Sequence, residues 1–481
     1  MQKLNELNPQ RVFYYFKELT KIPHGSGNQK AIADYCVDFA EKHGLKVVRD
    51  AADNVVIYKS AARGYEAAEP LILQGHLDMV CQQQEGLGFN FETDALNLLV
   101  KGDFLTADGT TLGADNGIAV AMVLAILERD DLPHPALEAV FTTDEEIGMV
   151  GAMQLDFSLL SSKKMINLDA EEDDTLTVSC AGGSDLTVTV PLPRKTKHGT
   201  LVTLTLSGLK GGHSGVEIHR GRVNADLLVG RVLNALSKQT AFSLVSANGG
   251  DKGNAIPNRC VVEFCVEDAA AFCAAAETVL QTIAEEIAAR EPQFTYNLAV
   301  GGTENLAVFS EETAPHILYV LCCAPNGVQE MSAEIEGLVE TSLNLGVLET
   351  RETELFLQFS LRSNKRSALL ALEEKMKTFL TCLPEAAIDA FGHYPPWEFK
   401  TDSPLREAFC DCYQKLRGEN CKVEAIHAGL ECGVFAAGIE GLDCISFGPS
   451  LYDVHTTNEK MSISSAQKTF ELLLMLLENC K

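Results

Sequence analysis

Apolar residues follow two rhythms along this chain, and the change from one to the other divides it. Near the start, Asn8 and Pro9 form a helix-start signal, with Val12, Phe13, Phe16 and Leu19 as the apolar stripe behind them. Helical spacing returns from Gln29 to His43, where Gly44 supplies a stop, and again in the apolar segment Ile118–Leu127. Around these helices lie short apolar runs of strand type: Lys46–Val48, Val55–Tyr58, Leu71–Leu73, Leu137–Thr142 and Lys164–Leu168. Strands alternating with helices predict an α/β layer with a mixed, largely parallel sheet.

Around residue 183 the rhythm becomes one of alternation. Asp185–Val190 and Leu201–Leu206 switch between apolar and polar residues, the pattern of half-buried strands with one wet face. The Ala-rich helical segment Ala269–Arg290 and the alternating run Leu355–Leu361 continue this α+β texture to about residue 385. The α/β pattern then resumes, with a helix Pro404–Leu416, a strand Cys444–Phe447 and an amphipathic C-terminal helix from Ser464 to Leu477. There is no internal repeat and no low-complexity linker.

At 481 residues the chain exceeds the limit of a single core, about 250–300 residues, so more than one domain is expected. The 67 acidic against 39 basic residues give a net charge of -28, which repels nucleic acid and anionic membrane surfaces. No run approaches the roughly 18 apolar residues of a membrane span, and Met1 to Gln10, with Lys3 and Glu6, contains no apolar leader. The 15 cysteines form no C-x-x-C pair and are scattered, the usage of reduced thiols in a cytoplasmic protein.

The candidate chemistry sits where the apolar runs stop. His76 and Asp78, Asp115, Glu145 and Glu146, Asp169, and His455 each follow such a run, where a parallel sheet delivers side chains into a crevice. Singly, each has an ordinary explanation: a strand-end histidine is more often hydrogen-bonded than metal-bound, and Asp115-Asn116-Gly117 alone would be a turn or a helix cap. Together, two imidazoles and three carboxylates complete the shells of two zinc ions if one carboxylate bridges, which leaves Asp78 and Glu145 for orientation and proton transfer. His455 belongs with ligands from the first segment. The predicted organisation is therefore a catalytic domain in two parts, 1–183 and 386–481, with an α+β domain, 184–385, inserted between them.

The motifs Gly75-His76-Leu77-Asp78, Gly113-Ala114-Asp115-Asn116-Gly117, Asp144-Glu145-Glu146-Ile147-Gly148, Asn167-Leu168-Asp169 and Val454-His455 carry a resemblance to the co-catalytic zinc peptidases that include carnosinases, glutamate carboxypeptidases and tripeptidases. Ile22–Asn28, Gly211–Gly215 and His427–Gly433 are similar to further signatures, so the resemblance covers essentially the whole chain. It implies that Asp115 lies between two divalent ions, with His76 and Asp169 on one and Glu146 and His455 on the other; zinc is expected, and cobalt or manganese fits the same ligands. Asp78 is implied to orient His76, and Glu145 to move the proton of the attacking water.

From the inserted domain, a lid and dimerisation element, the resemblance implies a homodimer in which His213 reaches a partner's active site to stabilise an oxyanion. Asn254 matches an Asn-x-Ile-Pro segment, and Arg362 is the expected contact of a substrate carboxylate in place of an arginine missing from Val261–Val266. Glu431 is the expected contact of an α-ammonium group, while His219 and Arg222 lie beside matched motifs without a role. The implied reaction is hydrolysis of dipeptides with broad side-chain tolerance, including those that end in histidine. An N-acyl amino acid deacylase of the same fold is the alternative. A non-catalytic scaffold is disfavoured, because binding alone has no need of the uncoordinated Glu145.

Overall fold

Four apolar strand segments, each buried on both faces, pair in parallel at the centre of an eight-stranded sheet. These are Leu137–Thr142, Leu71–His76, Lys164–Asn167 and Asp443–Ser446, in that order. Near-continuous apolar sequence is what a strand covered on both sides requires. The last strand comes from the far end of the chain, so two separated stretches of sequence build one sheet. Lys46–Arg49 and Val55–Lys59 add antiparallel strands on one side and Thr175–Cys180 pairs antiparallel on the other, so the sheet is mixed with a parallel core. This computed structural model describes residues 6–481; residues 1–5, on which part of the reading of the N-terminus rests, lie outside the described residues.

The chain folds as two units. One takes the chain through Cys180 with Trp397–Ala425 and Leu430–Lys481; the other takes Ala181–Pro396 and Ile426–Gly429. In the first, helix Ala114–Leu127 is apolar all round and almost wholly buried, the condition of a helix enclosed in a core. A small sheet pairs Phe104–Ala107 with both Leu98–Lys101 and Lys460–Ser462, and Leu451–Tyr452 completes it. These strands are too short to announce themselves in sequence. They fasten the approach to Asp115 to the segment that follows His455.

The second unit is an antiparallel sheet running Thr295–Phe309, Arg194–Ser207, Cys260–Val266, Ser243–Gly249, Val339–Thr350, Glu354–Ser363, Gly182–Pro191, Ala387–Tyr394. Helices Ala225–Leu236, Ala269–Ile287, Ala314–Cys323 and Arg366–Leu380 supply its other layer. Because Ala387–Tyr394 pairs with Gly182–Pro191, this sheet continues past the 385 boundary expected from sequence. Its edge strand is mostly exposed and alternates weakly, which is why the pattern hid it. Among the described residues, no helix is long and apolar enough to cross a membrane.

Asp226 is fully buried in this unit, in the first turn of helix Ala225–Leu236 beside the Cys260 thiol, and burial pushes its carboxyl up to about 8. An unfolded aspartate titrates near about 3.9. Between those values the unfolded chain has lost a proton that the folded chain keeps, so this group's contribution to stability falls as pH rises and is gone above about 8. Asp226→Asn is expected to gain stability relative to the parent between pH 5 and pH 8. Urea midpoints measured across that range test it, and a difference constant with pH would remove the assignment.

Candidate metal centre

His76 is the last residue of a fully buried strand, and its side chain is 1% exposed. The preceding Gly75 leaves no room for a Cβ beside Asn116. Asn116 in turn accepts the His76 backbone N–H at 3.2 Å and donates to the Leu168 carbonyl at 2.9 Å, which ties three loops together. Gly113, at φ 66°, makes the left-handed turn into Asp115. Asp115 and Asn116 stand outside helical geometry, joined by a cis peptide.

Asp115 faces both histidines. Its Oδ1 lies 3.2 Å from His76 Nε2 and its Oδ2 lies 3.1 Å from His455 Nε2. His76 Nε2 is also 3.4 Å from Asp169 Oδ1, and His455 Nε2 is 3.0 Å from Glu146 Oε2. Two triads thus share Asp115: His76 with Asp169, and His455 with Glu146. Ligand atoms of His76, Asp115 and Glu146 fall within 4.8 Å of one another, close enough for one metal ion.

Asp78 braces this group. Its carboxylate accepts the backbone N–H of Glu145 at 3.0 Å and of Glu146 at 3.3 Å, and the Ser26 hydroxyl at 2.8 Å. It also lies 3.5 Å from His76 Nδ1, on the opposite edge of the ring from Asp115. His76 Nδ1 is also 3.0 Å from the Asp78 backbone carbonyl, so Asp78 orients the ring mainly through its main chain while its carboxylate holds the turn that presents Glu145 and Glu146.

The electrostatics of the cluster fit a divalent cation. Burial opposes ionisation of Asp115, yet hydrogen bonds from His455 and His76 hold its carboxyl far below the usual range. Hydrogen bonds to Asp115 and Glu146 lift His455 to about 11, and His76, despite its burial, is carried well above its ordinary value by Asp169, Asp115 and Asp78. Burial pushes Asp169 to about 6 and Glu145 well above a normal carboxyl. Carboxylates crowded around two imidazoles in this way favour positive charge between them, the field that a divalent cation would meet. Glu146 Oε1 is buried without a hydrogen-bond partner, an atom that a metal ion satisfies.

Glu459 escapes a sequence reading. It is 2% exposed, and its carboxylate accepts the backbone N–H groups of Leu112, Gly113 and Ala114 at 2.8, 3.3 and 2.9 Å. It clamps the turn before Asp115 from a position four residues after His455. A charged residue in a polar loop normally reads as solvated, so no sequence signal marked it.

Glu431 is the next candidate. Expected to meet a substrate ammonium, it is fully buried, and its Oε2 accepts from Thr142 Oγ1 at 2.7 Å and from Gln74. Asn167 and Ser446 extend the same hydrogen-bond chain across the central strands. It opens the helix Glu431–Gly438, and its carboxylate reaches back to the central strands.

The remaining candidates belong to the second unit. His213 pairs with Ala255 in a two-residue ladder, and Ser214 N–H donates to the Asn254 carbonyl at 2.9 Å. The backbone N–H groups of Gly215 and Val216 donate to His213 Nδ1 at 3.1 and 3.2 Å. The ring proton is thereby placed on Nε2, and burial and Arg362 lower the ring's pKa and favour that neutral donor. Glu217 accepts the His213 backbone N–H and pairs with Arg222 at 2.7 Å, which gives Arg222 a bracing role, while His219 is exposed. Arg362 is 8% exposed and donates to Tyr394 Oη at 2.8 Å, but its buried Nε has no partner. The side chain of Asn254 is exposed.

Comparisons with known proteins identify the family and the fold. Residues 72–479 match the model of peptidase family M20/M25/M40. The cytosol non-specific dipeptidase of Escherichia coli K12 is 34% identical over 482 residues, covering 99% of each chain. The structure of aminoacylhistidine dipeptidase from Vibrio alginolyticus superposes with a TM-score of 0.91 at 34% identity, covering 99% of this chain and 98% of that one. Human carnosine dipeptidase 1, at 13% identity and a TM-score of 0.53, covers 98% of this chain and 95% of its own, and shares the fold. A family match across most of the chain and a relative 34% identical along nearly its whole length show that this protein belongs to peptidase family M20/M25/M40.

Proposed function

We propose that this metallopeptidase hydrolyses dipeptides with broad side-chain tolerance, at a centre holding two divalent ions, zinc in the first place. One observation carries the reading: Asp115 turns each of its two oxygens to a different imidazole. His76 and Asp169 would hold one ion, His455 and Glu146 the other, with Asp115 common to both. When bound, two such ions supply Lewis acidity, making water nucleophilic at neutral pH and polarising the peptide carbonyl.

The protein's own groups do the rest. Glu145, left out of the ligand set, takes the proton of the attacking water and returns it to the leaving amine as the C–N bond breaks. His213 donates its Nε2 proton to the oxyanion as charge develops. Arg362, with an unpaired Nε, takes the substrate's free carboxylate, and Asn254 supports it. With Glu431 buried, we assign the α-ammonium to Glu171, which is exposed, makes no side-chain hydrogen bond or ion pair among the described residues, and interacts electrostatically with Asp115, Asp169 and His455.

Arg362→Ala is expected to raise KM for dipeptides roughly 10–100-fold, the loss of a charge-assisted hydrogen bond. Dipeptide amides, which lack the carboxylate, should be affected little, and equal cleavage of amides and free dipeptides by the parent enzyme would sink this role. The names of two relatives, each 34% identical over nearly the whole chain, support dipeptides over acyl amino acids. A panel of dipeptides and N-acetyl amino acids, assayed after chelation and after readdition of metal, separates peptidase, deacylase and scaffold. We also propose a cytoplasmic homodimer, for which sedimentation should return twice the 52.1 kDa chain mass.

A further inference from the structure

The sulfur atoms of Cys410 and Cys421 stand 3.4 Å apart, far from any role in the centre described above. Cys410 lies in helix Pro404–Arg417, and Cys421 immediately precedes the strand Lys422–Ile426 at the end of the eight-stranded sheet. Both side chains are partly exposed. Their packing partners are the apolar residues of the first unit's core, which hold helix and strand start in register.

We propose that Cys410 and Cys421 form a reversible thiol–disulfide site, one that takes small disulfide oxidants of the glutathione class. The sulfurs need approach by little more than an ångström to reach a bond of about 2.05 Å. The two thiols are unequal. Either thiol can donate to the other; the shared hydrogen bond brings Cys410 down to about 7, and Arg406, one turn earlier on the same helix, favours its thiolate. Cys410 is thus the attacking thiolate at neutral pH and Cys421 the resolving thiol.

The chemistry balances with the oxidant named. Cys410 thiolate attacks one sulfur of oxidised glutathione, forming a mixed disulfide and expelling one glutathione thiolate. Cys421 then loses its proton and attacks Cys410 Sγ, expelling a second glutathione. The protein is oxidised by two electrons and the reagent is reduced to one glutathione thiolate and one glutathione thiol, the thiol carrying the proton of Cys421.

The other cysteines provide internal controls. Cys432 and Cys444 also interact, but at 0% and 5% exposure they are shielded from a reagent the size of glutathione. Cys322 and Cys323 are exposed but adjacent in sequence, and Cys322 donates to the Gly230 carbonyl at 3.0 Å. They should collect separate glutathione adducts without joining each other.

The full-length, metal-loaded protein is equilibrated with oxidised glutathione at neutral pH, its remaining thiols are alkylated, and its peptides are mapped by mass spectrometry. A Cys410–Cys421 cross-linked peptide, absent after reduction, is the expected product. In Cys421→Ser the reaction should stop at a glutathione adduct on Cys410; in Cys410→Ser, Cys421 should react at least tenfold more slowly than Cys410 does in the parent. Full alkylation of both residues after equilibration, or a glutathione adduct that persists on Cys410 with Cys421 present, overturns the proposal.

Discussion

Glu145→Gln is expected to keep its metal and its substrate affinity while losing roughly 10²–10⁴ of turnover, the usual contribution of a positioned proton-transfer group. Glutamine preserves the volume of the side chain and removes its basicity. The Asp78 carboxylate holds Glu145 through a backbone N–H, a contact the substitution leaves in place. Glu146 keeps its own contact to His455, so the ligand set survives. Metal content by elemental analysis, KM and kcat for one dipeptide separate the possibilities. Near-normal kcat in a metal-loaded Glu145→Gln enzyme would take Glu145 out of the proton pathway. Loss of metal would instead make it a ligand.

The legible part of this fold and site was set by residues whose type and position leave few options. A strand that is apolar on both faces announces a buried parallel sheet, and His76, Glu146 and Asp169 stand at or just beyond the ends of three such strands. The structure brings those three together with Asp115 and His455, residues 340 positions apart that meet at 3.1 Å. What the chain pattern hid are contacts made by polar side chains in loops. Glu459 grips three backbone N–H groups, and Glu431, at the start of a helix, buries its carboxylate against Thr142 and Gln74. A carboxylate among glycines and polar residues reads as solvated in sequence, because its burial depends on partners that only the folded chain supplies. The last strand of the second sheet was hidden for a different reason: Ala387–Tyr394 is an edge strand that is mostly exposed, and Gly392 and His393 break the alternation of its apolar residues.

Asp115→Ala is expected to lose both metal ions and with them essentially all activity, whereas His76→Ala and Glu146→Ala should each lose mainly one. The difference follows from where the oxygens point. Each imidazole Nε2 meets a separate Asp115 oxygen, so removing this one side chain takes a ligand from both halves of the proposed centre. His76 and Glu146 each face one half, beside Asp169 and His455 respectively. The fold should tolerate the alanine, since Asn116 and Glu459 anchor the same turn through the backbone of neighbouring residues. Circular dichroism of the metal-free proteins controls for folding, and elemental analysis with titration of added metal counts the sites. An Asp115→Ala protein that still binds two ions tightly would mean that Asp115 is not shared, and the centre would have to be redrawn as two independent sites.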